Sequence, residues 1–314
     1  MLSLKCRLKC AFKCGFRTRM LLLAFATMLA APALRAVGSP LLKPVNALPP
    51  QKMVLVFGQK IAYYDIGTGP TIVLVHGFGS QARFDWGNVM LPLSKHHRVL
   101  ALDQIGWGQS GKPAIDYSIQ TFVDFLGEFL RVMKVDHFTL AGESLGGWIA
   151  ADYTIQALAP TNTGAYAVPR PDKLILSDAA GHRSTRTAAP AQVQGTLEDA
   201  AGIAIVFYDK SRVTPEFVRE SWVMKMQAND GNTQRSLRSN PMVDHETIGD
   251  KLDQITIPTL VVWGAEDQIV PLADGQDFAA KIPHAQLVTI PESGHSPADE
   301  QPDAFMKAVN GFLQ

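Results

Sequence analysis

The chain has 314 residues, 46% of them hydrophobic, with 29 Lys plus Arg balanced by 29 Asp plus Glu. Beyond the N-terminus the basic side chains do not cluster, so the electrostatic footprint of a nucleic-acid partner is missing. Cys6, Cys10 and Cys14 are the only cysteines, which excludes a disulfide framework from everything that follows them.

Residues 1–19 carry Lys5, Arg7, Lys9, Lys13, Arg17 and Arg19 and no acid, and an apolar run over 20–34 follows. A basic stretch leading into an apolar run too short to span a bilayer comfortably reads as an export signal. Small residues at Ala31, Ala33 and Ala36 suit cleavage. The expectation is a signal peptide or N-terminal anchor over 1–36, an extended linker over 37–51 bearing Pro40, Pro44, Pro49 and Pro50, and one domain over 52–314. An uncleaved anchor, a mitochondrial presequence and a true start at Met20 are the competing readings. The first 35 residues hold seven of the 29 basic residues and none of the acidic ones, so the rest is acidic by 29 to 22. The three cysteines, four residues apart and without histidine or carboxylate support, make a poor metal site.

Along the domain, short apolar runs alternate with longer helical patterns, the rhythm of a doubly wound, mostly parallel α/β sheet. Residues 53–57 and 60–66 read as a hairpin joined through Gly58-Gln59. A buried strand over 71–75 runs into His76-Gly77-Phe78-Gly79, and His76 is read as a structural residue that hydrogen-bonds its own loop. A strand over 97–102 leads to Asp103-Gln104-Ile105-Gly106-Trp107-Gly108-Gln109-Ser110, and a helix is predicted over 117–132. Strand Leu140-Ala141 then enters Gly142-Glu143-Ser144-Leu145-Gly146-Gly147, followed by a helix over 145–158. Gly-x-Ser-x-Gly between strand and helix points to Ser144 as a nucleophile exposed on a strained turn.

A serine hydroxyl is weak at neutral pH and needs a base, with a carboxylate to orient that base. After an exposed loop over 159–170 and a strand over 173–178, the strand beginning at Thr259 ends at Glu266-Asp267, and the strand over 286–290 ends just before His295. The chain order serine, acid, histidine selects Ser144, Asp267 and His295. Glu266 and Asp178, the latter closing the strand over 173–178, are the rival acids. A final helix is predicted over 302–312.

These four blocks, at 76–79, 103–110, 142–147 and 264–267 with 294–295, resemble the α/β-hydrolase superfamily. The likeness runs from about Val54 to the C-terminus. It implies an eight-stranded, mostly parallel sheet and an oxyanion hole built from the backbone N–H groups of Phe78 and Leu145. It also implies a serine hydrolase acting on a small acyl substrate, an esterase or lipase by first reading. Similarity to carbon–carbon bond hydrolases of ring-fission products keeps that chemistry open, along with perhydrolase activity and a ligand receptor on a hydrolase scaffold. Between about 181 and 247 the strand pattern gives way to helices, around 197–207, 215–227 and 233–238, a lid inserted between strands 6 and 7. Phe207, Tyr208, Phe217 and Trp222 of the lid, with Met224 and Met226 beside them, and Trp107 of the 103–110 loop are the substrate-pocket candidates. No phosphate loop, dinucleotide fingerprint or metal-ligand spacing occurs, so no cofactor and no metal is expected.

Overall fold

A computed structural model describes residues 48–164, 167–183 and 195–314. The leader and most of the linker expected from sequence lie outside these residues. Eight strands form one sheet in the order β1-β2-β4-β3-β5-β6-β7-β8. β1 (Lys52–Val56) and β2 (Gln59–Ile66) are an antiparallel hairpin, and β2 pairs antiparallel with β4 (Arg98–Leu102). From β4 onward every pair is parallel: β3 (Thr71–Val75) with β4 and with β5 (Phe138–Glu143), then β6 (Lys173–Ser177), β7 (Thr259–Gly264) and β8 (Ala285–Ile290).

The apolar runs are continuous because both faces of the parallel strands are covered. Ile72 and Leu74 of β3 point to one layer, with Trp86, Val89 and Met90 of α1 (Ala82–Leu93) and Phe305 and Val309 of α9 (Pro302–Leu313). Val73 and Val75 point to the other. There they meet Phe122 and Phe129 of α2 (Ile119–Val132), Ile149 of α3 (Leu145–Leu158) and Phe278 of α7 (Leu272–Lys281). α3 is buried nearly all round, as expected of a helix without a polar face.

Between β6 and β7 the described chain is helical. α4 (Leu197–Ala200) tightens into a 3-10 turn at Ala201–Val206, and α5 (Pro215–Ala228) and α6 (Gly231–Ser239) follow, with further 3-10 turns at Lys210–Arg212, Pro241–His245 and Leu252–Gln254. A short α8 (Pro297–Glu300) precedes α9. Among the described residues no helix is long and apolar enough to cross a membrane.

Three local expectations need correction. The hairpin turns at Phe57-Gly58, whose φ values of 48° and 76° suit a two-residue turn, and Gln59 already belongs to β2. α2 starts at Ile119 rather than Tyr117, because the Ser118 side chain accepts from the Thr121 N–H and caps it. His97 lies before β4, and its N–H closes the end of α1 on the Leu93 carbonyl.

Candidate active site

Ser144 sits between β5 and α3 with φ 54° and ψ −119°, a backbone conformation costly for any residue with a side chain. Its flanking glycines are obligatory. A Cβ on Gly142 would meet the Gly146 carbonyl oxygen at 2.1 Å, and one on Gly146 would meet the Val75 oxygen at 2.2 Å. The turn is pinned by the Ser144 N–H on the Ser177 carbonyl at 3.0 Å and by the Ala180 N–H on the Ser144 carbonyl at 2.9 Å.

His295 follows β8 and donates Nδ1–H to Asp267 Oδ2 at 2.7 Å, a bond that assigns the tautomer and leaves Nε2 as the basic nitrogen. Asp267 follows β7 and has a fully buried side chain. Its other oxygen accepts the N–H groups of Ile269 and Val270 at 2.7 and 3.1 Å. Glu266, the rival beside it, turns to the histidine loop and accepts the Ser293 N–H at 3.1 Å. The structure therefore places Asp267 on the imidazole. Asp178 is adjacent: one ligand atom from each of Asp178, Asp267 and His295 falls within 4.8 Å of the others.

The loop at 76–79 lies against the nucleophile, since a Cβ on Gly77 would stand 3.1 Å from Ser144 Cβ. The Leu145 N–H, first in α3, has no intrahelical acceptor by position, and Phe78 follows Gly77 in the facing turn. His76 serves structure as expected. Its Nε2 accepts the Gln104 N–H at 3.0 Å, which puts the proton on Nδ1, 2.8 Å from the Gly77 carbonyl. Asp103 organises the neighbouring loop, accepting from the Ala82 and Gln109 N–H groups at 2.9 and 2.8 Å.

Sequence reading missed a set of buried acids around these loops. Asp85, in the first turn of α1, accepts the Gly77 N–H at 2.7 Å and the Ser80 hydroxyl, holding the turn beside Ser144. Glu143 accepts the Ser296 hydroxyl at 2.8 Å, and its second oxygen has no partner. Burial raises both carboxyls, Glu143 well above the usual range with Asp85 adding to the effect. Glu300 accepts the Gly294 N–H at 2.7 Å and the Tyr208 N–H at 2.6 Å, joining the histidine loop to the segment before α5. Asp85 stands eight residues along the chain from Gly77, and no local pattern in the sequence links it to that N–H.

The helical segment reaches the same loops. The His295 N–H donates to the Val206 carbonyl at 2.7 Å, and the Arg238 guanidinium lies over the Phe78 ring at 4.7 Å. Lys225 Nζ would stand 3.4 Å from a Cβ on Gly79. Of the pocket candidates, Trp107 is fully buried with its ring edge on Phe78. Phe207 and Phe217 pack on each other, 5.5 Å apart, with Phe84 beside them. Trp222 is half-buried, while Tyr208 and Met226 are exposed. Met224 lines an open cavity of about 550 Å³ between α1 and α5, to whose wall Ser144 and His295 do not contribute.

A strained serine after β5, a histidine–carboxylate pair after β7 and β8, and a glycine turn after β3 define one architecture. A family model described as the alpha/beta hydrolase fold matches residues 70–302, and the chain belongs to that family. It is similar to the 2-hydroxy-6-oxo-6-(2'-aminophenyl)hexa-2,4-dienoic acid hydrolase of Metapseudomonas resinovorans, 27% identical over 84% of this chain and 90% of that protein. Among solved structures it resembles the meta-cleavage product hydrolase CumD of Pseudomonas fluorescens IP01. The TM-score is 0.74 and the identity 26%, covering 83% of this chain and 97% of that one. It also resembles an N-acyl homoserine lactone degrading enzyme, with TM-score 0.67 and 28% identity over 83% of this chain and all of the other.

Proposed function

We propose that the protein is a serine hydrolase that cleaves an ester or related acyl bond of a small molecule through an acyl-enzyme on Ser144. The observation that carries this reading is the 2.7 Å bond from His295 Nδ1 to Asp267, combined with the strained backbone that holds Ser144 at the head of α3. Ser144 Oγ attacks the carbonyl carbon while His295 Nε2 takes its proton. The imidazolium, steadied by Asp267, returns the proton to the leaving group, and water repeats the cycle on the acyl-enzyme. The N–H groups of Phe78 and Leu145 receive the oxyanion, and α5 and α6 form the roof under which substrate enters. Ser144→Ala assayed on p-nitrophenyl esters tests the proposal; turnover equal to the parent's would overturn it.

Carbon–carbon bond hydrolysis is the second reading, and the names of the dienoic acid hydrolase and of the meta-cleavage product hydrolase favour it. The same residues would act on a ketone carbon, with a carbanion leaving in place of an alkoxide. Comparing kcat/KM for a simple ester and for a ring-fission dienoate decides between the two. From the basic-then-apolar leader we further propose that the activity is exported or anchored at a membrane, which sequencing the N-terminus of the mature protein checks.

A further inference from the structure

Asp178 directly follows β6 with φ 43°, is fully shielded from solvent, and has no step in the mechanism above. Its Oδ1 accepts the Gly264 N–H at 2.9 Å, and the Ser177 hydroxyl lies 3.2 Å from Oδ2. A carboxyl oxygen of Asp178 lies within 4.8 Å of one of Asp267, and among the described residues no basic side chain but His295 is paired with either. Two carboxyl groups this close together and both shut off from water do not both ionise, so one of them holds a proton.

The surroundings of the pair say which. Asp267 accepts three N–H groups, from His295, Ile269 and Val270, which is an environment built for a carboxylate. Asp178 accepts one backbone N–H and one hydroxyl while facing the negative charge of Asp267. Burial, first, and then Asp267 push its carboxyl well above the ordinary range.

Resting on the triad reading above, we propose that Asp178 is a neutral carboxylic acid that donates a hydrogen bond to Asp267 and fixes that carboxylate against His295. It is a positioning residue. The triad would thus rest on a fourth side chain, the residue just after β6. The role of Asp178 is not to share the charge on the imidazolium but to stop Asp267 from rotating away from Nδ1.

The test is the rate at which a fluorophosphonate labels Ser144 in the full chain, followed across pH for the parent, Asp178→Asn and Asp178→Ala. Asn keeps an N–H donor toward Asp267 and removes no charge, so its rate should stay within about 3-fold of the parent and its histidine titration should not move. Ala removes the donor and should slow labelling ~10-fold to ~100-fold, the scale of a misplaced catalytic group. A titration in Asp178→Asn displaced downward by a pH unit or more would mean that a negative charge had been lost, and would overturn the proposal. So would equal rates in all three proteins. If the Ala variant does not fold, the infrared difference between parent and Asp178→Asn gives the answer: a protonated-carboxyl stretch present only in the parent supports the assignment, and its absence overturns it. Labelling that survives in Ser144→Ala would unseat the triad reading instead, a separate outcome that leaves the infrared band unaffected.

Discussion

Ser296 donates its hydroxyl to Glu143 Oε1 at 2.8 Å, so the residue after His295 is bonded to the residue before Ser144, 153 positions apart in the chain. Each partner is one peptide unit from a reacting side chain, and the bond therefore sets the spacing of the two loops. Glu143 is 2% exposed, its other oxygen has no partner, and burial favours the neutral acid. Ser296→Ala leaves both oxygens unsatisfied, which should cost about 1–3 kcal/mol and lower kcat/KM as the loops drift. Glu143→Gln keeps a neutral group of the same shape and should be nearly neutral for stability. Urea unfolding of both variants checks this, and a Gln variant as unstable as the Ala variant would contradict a neutral Glu143.

The neighbours Glu266 and Asp267 should separate cleanly. Asp267→Asn keeps the shape but supports the wrong imidazole tautomer, so kcat should fall on the order of 10³- to 10⁴-fold with the fold intact. Glu266→Gln keeps an amide oxygen to accept the Ser293 N–H and should change kcat by less than about 10-fold. Steady-state kinetics on any turned-over ester reads the contrast directly.

The strands and the turn at Ser144 were legible because continuous apolar runs and a Gly-flanked serine are local signals. α3 was read at its observed limits, since the elbow marks its start and Ala159-Pro160 its end. What escaped were relationships between segments. Nothing local to Asp85 says that it holds the Gly77 N–H, and the apolar run at 203–207 conceals that it winds as a 3-10 turn and stops short at Val206. Aromatic residues at helical spacing were equally ambiguous, and Phe207 and Phe217 found each other.

Stability should decline with rising pH through a carboxyl in α8. Asp299 is paired with Arg212 at 3.1 Å and with Asn88 at 2.5 Å, yet burial outweighs both and raises it from 3.8 to about 7. A raised carboxyl holds its proton longer in the folded state. Its contribution is therefore complete below pH about 4 and is lost as pH climbs through about 7. Across that window the parent's unfolding free energy should fall more steeply than that of Asp299→Asn, by up to about 4 kcal/mol. Parallel slopes in denaturant titrations at pH 4, 5.5 and 7.5 would refute it.

Gly294 offers a way to part the histidine loop from the helical segment without touching a reacting group. A Cβ there would meet the Val206 carbonyl oxygen at 2.4 Å and the Tyr208 nitrogen at 2.9 Å. Both are backbone atoms, so no rotamer can yield. Gly294→Ala must therefore displace the 206–208 segment, weakening the bond from the His295 N–H to Val206 and the contact of Tyr208 with Glu300. The imidazole would lose its fixed direction while most of the core stays packed. The expected result is a kcat lowered ~10-fold or more, against a stability loss of about 1–3 kcal/mol for forced overpacking. Circular dichroism melting beside kinetics separates the two effects, and parent-like kcat with a lowered Tm would show that this contact serves folding alone.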